Sequence, residues 1–96
     1  MPARDKRKIE KALKKKGFKL ENGDHRYFIY YSLKGERMSF FTKTSHGPDE
    51  PIGDDLLSEM AAQCKLSNPD FLELIDCTLK RKGYEKILLE KGIAIK

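Results

Sequence analysis

The sequence predicts an α+β fold, with three antiparallel strands in one sheet and helices on one face of it. Apolar residues recur with the 3.6-residue period of a helix before residue 17 and after residue 53, and they alternate with polar residues in between. Two turn-forming pairs, Asn22-Gly23 and Lys34-Gly35, divide the alternating segment into three strands. We therefore expect an α-β-β-β-α core followed by two short C-terminal helices.

The first helix is predicted over residues 5–16. Asp5 is a suitable N-cap, because its carboxylate can accept a hydrogen bond from a free amide of the first turn. Ile9 and Leu13 lie on one narrow apolar stripe, and Gly17 can adopt the left-handed backbone that ends many helices.

The three strands are predicted over residues 18–21, 25–31 and 37–43, where apolar and polar residues alternate or aromatic residues cluster. Turns of two residues predict four cross-strand pairs: Leu20–His25, Phe18–Tyr27, Tyr31–Met38 and Ile29–Phe40.

This pairing divides the side chains of the sheet between two faces. One face carries an apolar set that we expect to form the core: Phe18, Leu20, Tyr27, Ile29, Tyr31, Met38 and Phe40. The other face carries aromatic and basic side chains: Lys19, Arg26, Phe28, Tyr30, Arg37, Ser39, Phe41 and Lys43. Aromatic rings between cations suit base stacking with phosphate neutralisation. The alternative is that Phe28 and Phe41 pack beneath the C-terminal helices.

Helical periodicity returns over residues 53–66. Asn68 before Pro69 predicts the start of a third helix, with an N-cap followed by proline at the first position. A last helix is predicted over residues 82–91 and ends at Gly92.

A chain of 96 residues is long enough for one domain with a single core. We assign residues 1–66 to the α-β-β-β-α domain and residues 67–96 to a helical extension packed on or beside it. No apolar run is long enough for a transmembrane helix, so we expect no membrane partner. Two cysteines without an export-type segment predict a cytoplasmic protein with free thiols.

The net charge of +5 is unevenly placed, since residues 1–22 hold nine Lys/Arg and three Asp/Glu. Such a cluster favours a polyanion such as RNA, although a basic helix face is also an ordinary solvated surface. The candidate RNA-binding residues are Arg7, Lys8, Lys11, Lys14 and Lys15 on the first helix, with Arg26 and Lys43 on the sheet.

Histidine is the residue type that this sequence offers for catalysis. The two histidines and two cysteines lack the spacing of a metal site, so neither metal nor cofactor is predicted. Cleavage of RNA without metal needs a base for the 2′-OH proton and an acid for the departing 5′ oxygen, and imidazole suits both. His25 opens the second strand and His46 follows the third, so both are expected at one edge of the sheet.

Short motifs occur in a recognisable order along the chain. A helix that ends in Lys-Gly-Phe precedes Gly23-Asp24-His25, and Ser45-His46 and Ile52-Gly53 follow before the next helix. This order and spacing over residues 5–66 resemble the HicA/YcfA-like toxins.

The resemblance implies an α-β-β-β-α fold related to the double-stranded-RNA-binding domain, cleavage of mRNA, and a HicB-type antitoxin as partner. It nominates His25 as the catalytic residue, and it matches Thr44-Ser45-His46 loosely to a later histidine segment of the family. The alternative is a non-catalytic module of the same fold that binds RNA or a protein.

Two departures from the family leave alternatives open. Asp24 stands where the family has a small hydroxyl residue, and its carboxylate either orients the imidazole or repels phosphate. Residues 67–96 have no counterpart in the minimal toxin, and they either mask the sheet, dock a partner or complete the core.

Overall fold

A three-stranded antiparallel sheet and four helices make up the part of the chain that the computed structural model describes, residues 4–44, 51–76 and 78–95. Along the chain the elements are α1 (Lys6–Lys15), β1 (Phe18–Asn22), β2 (Arg26–Tyr31), β3 (Arg37–Thr44), α2 (Asp54–Gln63), α3 (Asn68–Ile75) and α4 (Arg81–Glu90). The strands lie in the order β1-β2-β3, so each hairpin pairs strands that are neighbours in sequence. The predicted fold class and element order are confirmed.

Both ends of α1 follow the local signals. The Asp5 carboxylate accepts a hydrogen bond from the Arg7 amide at 2.9 Å, which satisfies one of the free amides of the first turn. Gly17 follows the helix with φ of +98°, a backbone conformation that glycine adopts without steric cost. The predicted cap and stop are both confirmed.

The N-cap of α3 lies one residue before the predicted cap. Ser67 is the N-cap, and its hydroxyl accepts a hydrogen bond from the Asp70 amide at 3.3 Å. Asn68 is therefore the first helical residue, and its side chain donates to the Ser58 hydroxyl at 3.1 Å. A serine and an asparagine in succession are both good caps, and the proline at position 69 fits either choice.

The first hairpin turns through three residues, Gly23, Asp24 and His25, rather than through the predicted two. The Gly23 amide donates to the His25 carbonyl oxygen at 3.0 Å, and the strands begin to pair at Asn22 and Arg26. The predicted pairs of this hairpin are therefore wrong. The observed pairs are Leu20–Phe28 and Phe18–Tyr30.

The second hairpin is shifted by one residue from the predicted register. Tyr31 pairs with Arg37 and Ile29 with Phe41, with an irregularity between the two pairs. The predicted partners, Met38 and Phe40, were therefore wrong. Because successive side chains of a strand point to opposite faces, this shift reverses the face that each residue of β2 occupies.

The face of the sheet that packs against the helices, called the inner face below, includes Phe18, Phe28, Tyr30, Met38 and Phe40. Phe28 and Tyr30 are fully buried there, so their predicted place on the other face was wrong. The opposite face, called the open face below, carries Lys19, Glu21, Tyr27, Ile29, Tyr31, Arg37, Ser39, Phe41 and Lys43.

The C-terminal helices complete the core on the inner face. The ring of Tyr84 in α4 lies 5.1 Å from that of Tyr30 and 6.0 Å from that of Phe18, measured between centroids. Its hydroxyl donates to the Cys64 carbonyl oxygen at 2.8 Å. In α3, Phe71 is fully buried in the same hydrophobic cluster. These helices therefore lie on the side of the sheet that α1 and α2 also cover.

Two adjacent leucines of α4 test this packing. Leu88 is fully buried, whereas 58% of Leu89 is exposed. We expect Leu88→Ala to lower the free energy of unfolding by about 2–5 kcal/mol, because it removes buried apolar surface and leaves a cavity. Leu89→Ala is the matched control and should change it by less than about 0.5 kcal/mol. Urea denaturation measures both, and equal losses would contradict the placement of α4.

Candidate nucleic-acid interface

A row of three rings crosses the open face toward the turn between β1 and β2. The Tyr27 ring lies 5.5 Å from that of Phe41 and 6.2 Å from that of His25, with edge-to-face angles of 74° and 84°. Phe41 is 40% exposed, so much of its ring is accessible to solvent. The row therefore presents aromatic surface to solvent beside an imidazole.

Cationic side chains lie on both sides of this row. Lys19 on β1 holds its ammonium nitrogen 4.2 Å from the centroid of the Tyr31 ring, which is a cation–π contact. Arg37 forms an ion pair with Glu21, so much of its charge is balanced within the face. Lys43 on β3 lies at the end of the sheet that carries His25.

A cleft of about 170 Å³ opens beside His25. Its lining comes from the turn, from β3 and from the side of α2: His25, Lys43, Thr44, Leu56, Glu59 and Gln63. His25 is only partly buried, so the imidazole lies at the surface of the cleft rather than beneath packed side chains. A proton donor or acceptor, an ammonium group and a carboxylate thus share one small space.

The carboxylate of Asp24 is engaged by the neighbouring tyrosine. The Tyr27 hydroxyl donates to Asp24 Oδ1 at 2.6 Å. This hydrogen bond lowers the pKa of Asp24 below its ordinary value and raises the pKa of Tyr27 above its own. Asp24 therefore positions the ring that stands between His25 and Phe41.

Arg26 lies on the inner face and not beside Lys43 as the sequence predicted. Its guanidinium forms an ion pair with Glu10 of α1, with 3.2 Å between Nη1 and Oε1. The other carboxylate oxygen of Glu10 accepts a hydrogen bond from the Thr44 hydroxyl at 2.7 Å. The shifted register causes this difference, since residue 26 shares its face with Phe28.

The candidate residues on α1 are all exposed, on the helical side of the molecule: Arg7, Lys8, Lys11, Lys14 and Lys15. Lys8, Lys11 and Lys15 line a groove of about 340 Å³ between α1 and α3. Lys14 instead shares a cleft with Lys19 and the open-face residue Tyr31. The structure therefore separates most of these cations from His25.

The second histidine and the two cysteines are the other residues whose chemistry the sequence analysis considered. His46 lies outside the described residues, and so does Cys77. Cys64 is the C-cap of α2 and is fully buried, and burial raises the pKa of its thiol. Within the described ranges, no three His, Cys, Asp or Glu side chains come together as a metal site would require.

Sequence reasoning missed the contribution of Tyr27, Tyr31 and Glu59. The first two were assigned to the core face, because the register of β2 depends on turn length. Glu59 is one of several exposed acidic residues of its segment, and only the packing of α2 beside β3 brings it to the cleft.

No family model, curated protein or solved structure matches the chain. Among the described residues, no helix combines the length and the apolarity that crossing a membrane requires.

The link between Asp24 and Tyr27 is testable by titration. We expect Asp24→Asn to lower the pKa of Tyr27 toward its ordinary value of 10.0, because the neutral amide no longer disfavours the phenolate. Tyrosine ring resonances followed by NMR against pH measure this change. Tyr30 is the internal control, since its pKa is raised mainly by burial. An unchanged Tyr27 titration would rule out the hydrogen bond.

Proposed function

We propose that this chain binds single-stranded RNA on its open face and cleaves it at the His25 cleft, as a metal-independent endoribonuclease of the HicA type. The observation that carries the proposal is the row of Phe41, Tyr27 and His25, which leads from an exposed ring to a cleft holding Lys43. The order of motifs along the chain supports it.

The open face has the properties of a stacking platform. Bases offer π-faces to exposed aromatic rings whatever their sequence, and this contact is worth about 1–3 kcal/mol per base. Phe41 presents such a ring. Lys43 lies two residues further along the same strand and Lys19 lies on β1, where phosphates beside a stacked base would run. Duplex RNA does not expose its bases in this way, so a single strand is the form that fits.

The cleft supplies groups for cleavage without metal. A base removes the proton of the 2′-OH, the 2′ oxygen attacks phosphorus, and the bond from phosphorus to the 5′ oxygen breaks as an acid protonates that oxygen. We assign one of these transfers to His25. Lys43 steadies the charge on the phosphorane, and the products are a 2′,3′-cyclic phosphate and a 5′-OH.

The second proton-transfer group comes from one of two places. Glu59 lines the same cleft and carries a carboxylate that can accept a proton. The resemblance to HicA toxins instead nominates His46. We also propose, on that resemblance, that a HicB-type protein is the partner that covers this surface.

Removal of the exposed ring tests the binding surface. We expect Phe41→Ala to weaken the binding of single-stranded RNA by about 1–3 kcal/mol, or roughly 5- to 150-fold in Kd, because a base loses its stacking partner. Fluorescence anisotropy with a labelled oligonucleotide measures the change. Leu89→Ala, which removes an exposed apolar side chain from α4, should leave Kd unaltered. If both variants bind as wild type does, the open face is not the binding surface.

Replacement of the imidazole tests catalysis. In EDTA, purified protein should cleave single-stranded RNA, and His25→Ala should slow cleavage by at least about 100-fold while Kd changes little, because proton transfer is lost and stacking is kept. Added imidazole should restore part of the rate to this variant. Unchanged cleavage would remove His25 from the mechanism, and wild-type binding without products would establish the non-catalytic alternative.

A further inference from the structure

A cleft lined by four cationic side chains lies where the end of α1 meets the start of α4. Its volume is about 300 Å³, and its lining consists of Lys15, Lys16, Lys80 and Arg81. No acidic residue of the described chain lines it. Four like charges around one small space repel each other, so an anion bound there would relieve this repulsion.

Two of these cations are held in place rather than free in solvent. Lys16 is only 5% exposed, and its ammonium group donates to the Leu79 carbonyl oxygen at 2.8 Å. Arg81 donates from Nη2 to the Tyr31 carbonyl oxygen at 2.8 Å. Its Nε is buried without a hydrogen-bond partner among the described residues. Lys16 and Arg81 are therefore fixed in the wall of the cleft by hydrogen bonds to backbone carbonyl oxygens.

The glycine that ends α1 makes room for this arrangement. A Cβ atom built on Gly17 would lie 2.7 Å from the guanidinium carbon of Arg81, which is too close for any real contact. Glycine therefore serves both the left-handed turn and the approach of Arg81 to the cleft.

The start of α4 adds a further positive contribution. Lys80 is the N-cap and forms no side-chain capping hydrogen bond, and the first turn contains no acidic residue. The amides of this turn point toward the helix start, where the helix dipole is positive. A helix start of this kind favours an oxyanion. At the start of α4, cationic side chains take the place of the usual carboxylate or hydroxyl cap.

A neighbouring cleft connects this site to the open face. It has a volume of about 260 Å³, and Lys14, Lys19, Tyr31 and Arg81 are among its lining residues. Arg81 thus borders both clefts, and the pair of Lys19 and Tyr31 belongs to the open face. The cationic cleft lies near the end of β2 opposite His25, a span of about 20 Å at the usual rise per residue.

We propose that the cationic cleft binds phosphate groups and that RNA on the open face supplies them, the second part resting on the proposed function. Phosphate oxygens accept hydrogen bonds from lysine and arginine side chains and from helix-start amides alike. A strand that leaves the His25 cleft along β2 reaches Lys19 and then the cleft at the far end of the sheet. Free polyphosphate offers the same phosphate oxygens, and the test distinguishes it from RNA as the ligand of the cleft.

The test compares two double variants: one loses two lysine charges in the cleft, and the other loses two lysine charges elsewhere. Lys15→Gln with Lys80→Gln neutralises the two exposed lysines that line it and spares Lys16 and Arg81, which support the fold. Lys65→Gln with Lys86→Gln is the matched control, on exposed lysines away from the clefts described above. Urea denaturation of both double variants confirms that folding is intact.

With labelled single-stranded RNA, we expect the cleft variant to bind several-fold more weakly than the control. The logarithm of the association constant should also depend less steeply on the logarithm of the salt concentration. The slope should be smaller in magnitude by about 1.4, the contribution of two phosphate contacts on a single strand. With tripolyphosphate, amide resonances at the start of α4 should shift in wild type and in the control but not in the cleft variant.

The outcomes separate this inference from the proposed function. If RNA binds equally well to both double variants and tripolyphosphate leaves the α4 amides unshifted, the cleft is no phosphate site, although RNA binding on the open face stands. If tripolyphosphate alone binds in the cleft, free polyphosphate is the ligand and RNA is excluded as its source. If neither probe binds wild type, both proposals fail.

Discussion

The three-residue turn of the first hairpin determines which side chains of the central strand face the helices. The Gly23 amide closes this turn on the His25 carbonyl oxygen, and from there Phe28 and Tyr30 point inward while Tyr27 and Tyr31 point outward. Because β2 pairs on both sides, its register sets the composition of both faces of the sheet. The backbone hydrogen bonds that set the register of β2 therefore determine the residues of both the core and the candidate interface.

The C-terminal helices keep the two faces distinct. α4 places Tyr84 against the aromatic residues of the inner face, and its Glu85 accepts hydrogen bonds from the Tyr30 hydroxyl at 2.5 Å and the Leu33 amide at 2.8 Å. These contacts bind α4 to the same layer as α1 and α2. The described part of residues 67–96 thus contributes Phe71 and Tyr84 to the core, and none of the four helices covers Phe41 on the open face.

The positive charge of the chain is distributed by packing and not by sequence alone. Arg26 is balanced by Glu10 inside the molecule and Arg37 by Glu21 on the open face, so two of the basic residues near the rings contribute little net charge. The end of α1 instead meets the start of α4, and this places cations from distant parts of the sequence around one cleft. A single strand crossing the open face would meet Lys43 at one end of the sheet and this cluster at the other.

The sequence by itself determined the class of fold, the order of the elements and the ends of α1, because periodicity, capping and turn residues act within a few positions of the chain. The proposed role of His25 also comes from the sequence, since imidazole suits proton transfer near neutral pH. The tertiary structure decided the register of β2, the inward place of Arg26 and the approach of Glu59 to the cleft. Asn-Gly locally favours a two-residue turn. The burial of Phe28 and Tyr30 on the inner face instead depends on helices more than 20 residues away along the chain. Contacts at such separations are absent from any local pattern, and for that reason only the folded chain shows them.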